Sequence, residues 1–426
     1  MKLVLSLGLL AGTNVILTFL MNWYILITVG AGAHTDALYA GMAIPQFILA
    51  VIGGSFTTAL IPILSGERED QFSQQAWTFF WLVAAVLTVL AVLLSLLAFL
   101  WVPLLVAGFS VTTKSLTIEL TYLQLIAMVF SALAGVLNAF GNARHRFLWV
   151  GMTPVLAACP SFVVLLWGLP RYGIVAAVWA TLVRGVVSTA LMLPILGSPK
   201  RFRSNRVILI EAWRRVKPLL YGATYFKSGP LVDRFLSSML PPGGLSIFYL
   251  AQAAYSIAND VIYKALTTPM LALLANHART SNWRDYQRVY LKRLLWVSFL
   301  TLAGYLVVLF AGDSILMLLI GHGDITRDKV RLLWLTLIAM GGFLVGGAIG
   351  QISAAAFYAT GDTATPTKVG MLGFTLGSGL KVIGLIKFGL VGIALAASLH
   401  QCFNAFALHA LLRRRRHQTL AAVMQQ

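Results

Sequence analysis

Long apolar runs recur along the whole chain, and they constrain its fold more than any other feature of the sequence. Each run is roughly 20–30 residues long, the length that a helix needs to cross about 30 Å of hydrocarbon. Because 59% of the residues are hydrophobic and only 11% are charged, a water-soluble protein could not cover this much apolar surface. We therefore predict an all-α polytopic membrane protein.

We count twelve transmembrane helices. Their predicted ranges are 3–29, 36–64, 76–107, 116–140, 147–169, 173–197, 216–240, 245–275, 291–320, 332–359, 366–386 and 389–412. The first run resembles a signal peptide, but it is too long for the apolar region of one, so we keep it as the first span.

The basic residues fall mainly on one side of the predicted membrane. With the N-terminus inside, the inner segments carry 21 Lys and Arg residues and the outer loops carry 6. The positive-inside rule then places both termini in the cytoplasm. The net charge of +19 therefore indicates orientation and contact with anionic membrane lipids, and we expect no nucleic-acid partner.

The two halves of the chain resemble each other. Tyr39 and Thr57-Thr58 recur as Tyr249 and Thr267-Thr268 at an offset of 210, and Gly173-Ile174 recurs as Gly392-Ile393 at an offset of 219. We predict an N-terminal six-helix lobe (1–200), a basic cytoplasmic linker (201–217) and a C-terminal six-helix lobe with a basic cytoplasmic tail (218–426). Such a repeat predicts two pseudo-symmetric lobes around a central cavity. The linker is either solvated or a short amphipathic helix on the inner surface.

Enzyme signatures are absent from the sequence. It contains no GxxxxGK[ST], HExxH or GxSxG motif, and its seven histidines lack metal-ligand spacing. We expect no enzyme activity, no metal site and no cofactor. Gly342, Gly346 and Gly350 are spaced for helix packing rather than for a phosphate loop. Cys159 and Cys402 lie in apolar segments, which predicts core thiols without a disulfide.

Charged residues inside the spans are the informative chemical signal, because each costs at least ~2.5 kcal/mol at mid-depth. They are Arg184, Lys227, Asp233, Arg234, Asp260, Lys264 and Lys381. Asp260 and Lys264 are four residues apart and can pair on one helix face. Asp233 and Arg234 are adjacent and point in different directions. Each of these residues could instead belong to a structural ion pair or extend to the interface.

Three segments carry a resemblance to a known family. They are GAGAHTDALYAGMAIPQF with GGSFTTALIPIL in spans 1–2, LVDRFLSSMLPPGGLSIFYLAQ at 231–252, and AAFYATGDTATPTKVGMLG at 355–373. They resemble the MurJ/MviN family of the multidrug/oligosaccharidyl-lipid/polysaccharide exporter superfamily. The resemblance implies a two-lobed flippase that carries an undecaprenyl-pyrophosphate-linked glycan by alternating access.

The chain departs from the pattern of the family's lipid II flippases. The cavity-facing arginines of those proteins fall here at Val15, at Met21 and near Leu49 or Ala50. The Arg and Glu early in their eighth span fall at Ala253 and Ser256, and the two further spans common in the family do not follow span 12. The resemblance therefore supports the fold more strongly than the identity of the glycan.

From these observations we predict a flippase for lipid II or a related polysaccharide precursor in the bacterial inner membrane. The predicted substrate-binding residues are Asp36, Lys227, Arg234, Asp260, Lys264 and Lys381. The family resemblance implies Asp233 and Asp362 as candidate cation-site residues. Coupling to Na⁺, to H⁺ or to the membrane potential is left open, and envelope-synthesis enzymes are candidate partners. Two alternatives stay open: a cation-coupled exporter of small amphipathic molecules, and a scaffold that transports nothing.

Overall fold

The computed structural model describes residues 2–52, 69–200, 213–214, 217, 224–225, 227–321 and 325–424. Every regular element in these residues is helical, which confirms the all-α prediction. Residues 53–64 of predicted span 2 and most of the 201–217 linker lie outside the described residues. The proposed amphipathic helix at the inner surface therefore stays a prediction.

Before the linker, seven α-helices have both ends within the described residues. They are α1 (Lys2–Val29), α2 (Ala33–Gly41), α3 (Glu69–Leu96), α4 (Ala98–Leu105), α5 (Val111–Ala143), α6 (Phe147–Tyr172) and α7 (Val175–Met192). The span that begins with α2 continues to Ile52. Ser110 caps α5, because its hydroxyl accepts a hydrogen bond from the Thr113 amide.

After the linker, seven α-helices have both ends within the described residues. They are α8 (Gly229–Ser237), α9 (Gly244–Ile262), α10 (Thr268–Arg279), α11 (Trp283–Ile320), α12 (Arg327–Ala339), α13 (Gly341–Ala359) and α14 (Ala364–Met424). Pro230 lies in the first turn of α8, where its missing amide hydrogen costs no helical bond. A π-helical turn, Tyr263–Thr267, joins α9 to α10 just before Pro269. Proline cannot continue the α-helical bonding pattern, so the predicted eighth span is interrupted there.

Nine described segments are long and apolar enough to cross a membrane. The last of them, Ala364–Arg414, contains two predicted spans, because α14 breaks at Gly389 (φ 58°, ψ −132°). The predicted eighth span corresponds to α9 and α10 with the π turn between them. Of the seventh, residues 217, 224–225 and 227–240 are described.

The described chain divides into two compact units, residues 1–245 with 323–325, and residues 246–322 with 326–426. In unit 1, α5 packs against α2, α3, α4 and α7, and α6 packs against α1 and α7. Phe72, Phe140 and Leu137 are fully buried where α3 meets α5. The predicted lobe boundary at 201–217 stays a prediction. The boundary between the two compact units lies after residue 245, because α8 packs against α4 of unit 1.

In unit 2, α13 packs against α11 and α14. A Cβ atom on Gly346 would lie 2.7 Å from the Cys402 amide nitrogen, and one on Gly342 would lie 2.8 Å from Ser398 Cβ. The glycines therefore allow two helix backbones to approach closely. The prediction that Gly342 and Gly346 serve helix packing is confirmed.

Two tight helical hairpins repeat at an offset of 216. Gly173 (φ 59°, ψ −146°) separates α6 from α7, and Gly389 breaks α14 with almost the same backbone angles. Gly168 closely approaches Ala176 across the first break, and Gly384 closely approaches Gly392 across the second. The similarity of the two halves is thus visible in the backbone. The predicted match of Gly173 with Gly392 was wrong by three residues, because Gly389 adopts the corresponding conformation.

The two cysteines do not lie in the core. Cys159 and Cys402 are both exposed and both free, so the prediction of core thiols was wrong. Exposed positions on a membrane-spanning helix can face lipid, where a weakly polar thiol is tolerated as a small hydrophobe. An apolar flanking sequence therefore cannot distinguish a core position from a lipid-facing one.

Candidate functional site

Asp36 lies in the first turn of α2 and is only 3% exposed. One carboxylate oxygen accepts a hydrogen bond of 2.6 Å from the amide of Gly243. Gly243 has a φ of 90°, which favours glycine, and it lies in the turn just before α9. Asp36 therefore links the start of span 2 by a hydrogen bond to the turn between spans 7 and 8.

Arg234 of α8 is one of the most deeply buried charged residues, with 2% exposure. Its Nε donates a hydrogen bond of 3.1 Å to the backbone carbonyl of Tyr39, less than one turn beyond Asp36 on α2. The neighbouring Asp233 is equally buried. The structure thus brings Arg234 to α2 within one helical turn of Asp36, although the two residues are 198 positions apart in sequence.

The end of α8 is also fixed against the turn between α4 and α5. The Gly108 amide donates a hydrogen bond of 3.4 Å to the Ser238 hydroxyl, and a Cβ on Gly108 would lie 2.5 Å from the Ser238 carbonyl oxygen. Only glycine leaves room for this approach. These contacts place α8 in unit 1, although it follows the linker in sequence. Lys227, just before α8, is exposed.

Asp260 and Lys264 are exposed in unit 2. No ion pair joins them in the part of the chain that the structure describes, so the predicted pair does not form. Lys264 lies in the π-helical turn, where the bonding pattern runs from i to i+5. The face-sharing rule for residues four apart applies to an uninterrupted α-helix and fails at this point.

The other two candidates in unit 2 are partly or fully buried. Lys381 lies in the first half of α14 with 7% exposure. Asp362 precedes α14, where one carboxylate oxygen accepts from the Thr365 amide (2.9 Å) and the other from the Thr365 hydroxyl (2.7 Å). Asp362 therefore acts as a helix N-cap. Its candidate role in cation binding stays a prediction.

Arg184 was counted among the intramembrane charges, but sequence reasoning left it out of the predicted site. Its guanidinium in α7 donates to Asn14 Oδ1 (2.7 Å) and Thr18 Oγ1 (3.2 Å) of α1. A signal was present in the sequence, since Asn14, Thr18 and Asn22 recur every four residues in a span that is otherwise largely apolar. Such spacing predicts one polar helix face.

The described residues contain no group of three or more His, Cys, Asp or Glu side chains that could hold a metal ion. The buried charges at the ends of α2 and α8 are held instead by backbone groups. Charge inside membrane helices is typical of transport proteins.

A family model described as "Lipid II flippase MurJ" matches residues 25–425. The chain belongs to the lipid II flippase MurJ family. A relative from Burkholderia cenocepacia, named "Lipid II flippase MurJ", is 26% identical over 416 residues, covering 91% of this chain and 78% of the relative. The MurJ family is a family of transporters, which agrees with the prediction that the chain is not an enzyme.

Solved structures agree with this family at the level of fold. "Lipid II flippase MurJ, inward closed conformation" superposes with a TM-score of 0.85 at 18% identity, covering 96% of this chain and 87% of that one. An inward-facing multidrug resistance MATE family transporter of the MOP superfamily superposes with a TM-score of 0.77 at 15% identity, covering 93% of each chain. The predicted all-helical fold is therefore confirmed.

Within the MurJ family, this chain differs at the positions where the family's lipid II flippases carry cavity-facing arginines. Val15 and Leu49 are half-buried and Met21 is buried. Their side chains are neutral, so these positions supply no charge. Arg184 supplies a cation beside α1 from another helix.

Proposed function

We propose that this protein moves an undecaprenyl-pyrophosphate-linked glycan, lipid II or a related polysaccharide precursor, across the bacterial inner membrane. The observation that carries the proposal is the MurJ family match over residues 25–425. The paired hairpins at Gly173 and Gly389 support a repeat architecture of the kind that transporters use for alternating access.

The proposal is tested by complementation of a strain depleted of its own lipid II flippase. We expect the chain to restore growth and to deliver newly made lipid II to the outer leaflet, where an externally added lipid II-cleaving enzyme can reach it. Membrane levels of the protein are measured in the same cells. A well-expressed chain that restores neither growth nor outer-leaflet lipid II would overturn the proposal for lipid II, and the same assay with other lipid-linked glycans would test the remaining substrates.

Coupling to a cation or to the membrane potential belongs to the same proposal. Asp233 is a buried carboxylate in a membrane helix, the kind of group that marks ion pathways in transporters. Replacement of external Na⁺ by choline, and separate collapse of the potential by an ionophore, distinguish the two driving forces in the lipid II delivery assay. If Asp233 serves Na⁺, Asp233→Asn should abolish the Na⁺ dependence and leave any dependence on potential.

Anionic phospholipids are the proposed membrane partners. A groove of about 490 Å³ in unit 2 combines two cations with six apolar side chains. Its lining residues are Leu266, Leu273, Val289, Lys292, Arg293, Trp296, Phe299 and Leu300. This combination suits a lipid with a charged head and apolar chains. The double variant Lys292→Gln/Arg293→Gln should retain less phosphatidylglycerol in native mass spectrometry, and equal retention would contradict the assignment.

A further inference from the structure

Arg184 lies near the middle of α7, nine residues after its first residue and eight before its last. At 1.5 Å per residue, the guanidinium is attached roughly 12–14 Å from either end of the helix, which is near mid-depth of a bilayer. The side chain is half-buried, so part of it is accessible. A cation at this depth is costly, and such residues face protein or water rather than lipid.

The contacts of Arg184 satisfy its hydrogen bonds only in part and do not balance its charge. Nη1 and Nη2 reach Thr18 Oγ1, and Nη2 also reaches Asn14 Oδ1. Both acceptors are neutral, and within the described ranges no carboxylate lies at ion-pair distance from Arg184. A neutral Gln or Asn could join α7 to α1 at lower cost. The charge itself therefore calls for an anion that does not belong to the described chain.

Polar groups continue from Arg184 along α1 and α2. The Asn22 amide donates to the Thr18 carbonyl (2.9 Å), and the Tyr39 hydroxyl donates to Asn22 Oδ1 (3.2 Å). The Tyr39 carbonyl in turn accepts from Arg234. We call the residues Arg184, Asn14, Thr18, Asn22, Tyr39 and Arg234 the α1 polar track. The three α1 residues are half-buried, so a ligand can reach them.

We propose that Arg184 binds the pyrophosphate of the lipid-linked substrate, and that the α1 polar track accommodates the polar head group in unit 1. This inference rests on the proposed function. A guanidinium can donate two parallel hydrogen bonds to phosphate oxygens, and it stays charged even in a poorly hydrated site. Arg184 thereby supplies within unit 1 a cation that Val15 and Met21 of α1 cannot provide.

The test compares two lipids that carry phosphate anions, undecaprenyl pyrophosphate and phosphatidylglycerol, on detergent-solubilised full-length protein by native mass spectrometry. Arg184→Gln should weaken retention of undecaprenyl pyrophosphate by about tenfold or more, because a charge-assisted hydrogen bond is lost. Retention of phosphatidylglycerol should not change. Arg184→Lys keeps the charge and should retain more undecaprenyl pyrophosphate than Arg184→Gln.

Three control variants separate charge from structure. Asn14→Ala removes the shortest contact of Arg184 but leaves its charge, so it should lose clearly less undecaprenyl pyrophosphate than Arg184→Gln does. Arg171→Gln makes the same change at an exposed arginine that lies over Trp167, and it should have no effect. Lys292→Gln/Arg293→Gln should affect only phosphatidylglycerol. Thermal melting of every variant shows whether a loss of lipid follows a loss of fold.

Three results would overturn the inference. They are unchanged retention of undecaprenyl pyrophosphate by Arg184→Gln, equal loss of both lipids, and parallel losses of lipid and melting temperature in Arg184→Gln and Asn14→Ala. Equal loss of both lipids would assign Arg184 to phospholipid binding, and the parallel losses would make it a link between helices. If the wild-type chain fails complementation while Arg184→Gln still loses undecaprenyl pyrophosphate selectively, the proposed function fails and the binding residue stands.

Discussion

At the scale of single residues, the structure gives Asp36 a contact within the fold, because its buried carboxylate accepts a hydrogen bond from the Gly243 amide. Its role in substrate binding stays a prediction. We expect Asp36→Ala to lower the free energy of unfolding by about 1–3 kcal/mol, because a buried amide loses its acceptor. Asp36→Asn keeps an oxygen acceptor and should cost less. Thermal melting in detergent measures both changes.

The same pair of variants tests whether Asp36 also acts in transport. If Asp36→Asn melts like the wild-type protein but delivers less lipid II, the charge has a role beyond fastening the turn. If it melts and transports normally, Asp36 serves the fold alone.

Arg234 and Lys264 were predicted as equivalent substrate ligands, but their environments differ sharply. Arg234 is 2% exposed and donates to the Tyr39 carbonyl, whereas Lys264 is exposed. Arg234→Ala should therefore destabilise the protein by several kcal/mol through the cavity and the lost hydrogen bond. Lys264→Ala should change the free energy of unfolding by less than about 0.5 kcal/mol. Equal melting temperatures for the two variants would contradict this assignment.

At the scale of helices, the break at Gly389 should be the most sensitive point of α14. With φ 58° and ψ −132°, it adopts a conformation that side chains with a Cβ rarely tolerate. We expect Gly389→Ala to cost about 1–3 kcal/mol. Gly379→Ala is the matched control in the same helix, because a Cβ there meets no atom within 4 Å.

Gly379→Ala should be neutral or slightly stabilising, since alanine favours helix more than glycine does. Thermal melting compares the two variants. Should both substitutions prove equally harmless, the break at Gly389 would not need glycine.

Helix existence could be predicted from the sequence, whereas helix partners could not. Runs of apolar residues determine where spans occur, so 3–29, 116–140 and 291–320 all fall within described helices. The contacts of Arg184 with Asn14 and Thr18 join residues more than 160 positions apart, and no local pattern encodes such pairs. The sequence did not predict the π-helical turn at Tyr263–Thr267, because Pro269 alone does not determine how the backbone before it departs from the α-helix.

At the scale of the whole molecule, the membrane orientation is a prediction that the structure helps to test. Gly243 is buried, so a probe belongs at the exposed Pro241 instead. In a background that lacks the exposed Cys159 and Cys402, Pro241→Cys should react with an impermeant thiol reagent added from outside. Arg214→Cys in the linker, also exposed, should react only after the membrane is opened. The reverse pattern would place both termini outside.

The position of α8 has a consequence for the chain as a polymer. This helix and the turn after it follow the linker in sequence, but they are hydrogen-bonded to α2 through Tyr39 and Asp36 and to the α4–α5 turn through Gly108. A chain cut within residues 201–217 should therefore survive as two co-expressed polypeptides that purify together. Arg234→Ala in the second polypeptide should lower the recovered pair, and fragments that separate readily would contradict this expectation. The two halves would then associate through their non-covalent contacts, without a covalent connection between them.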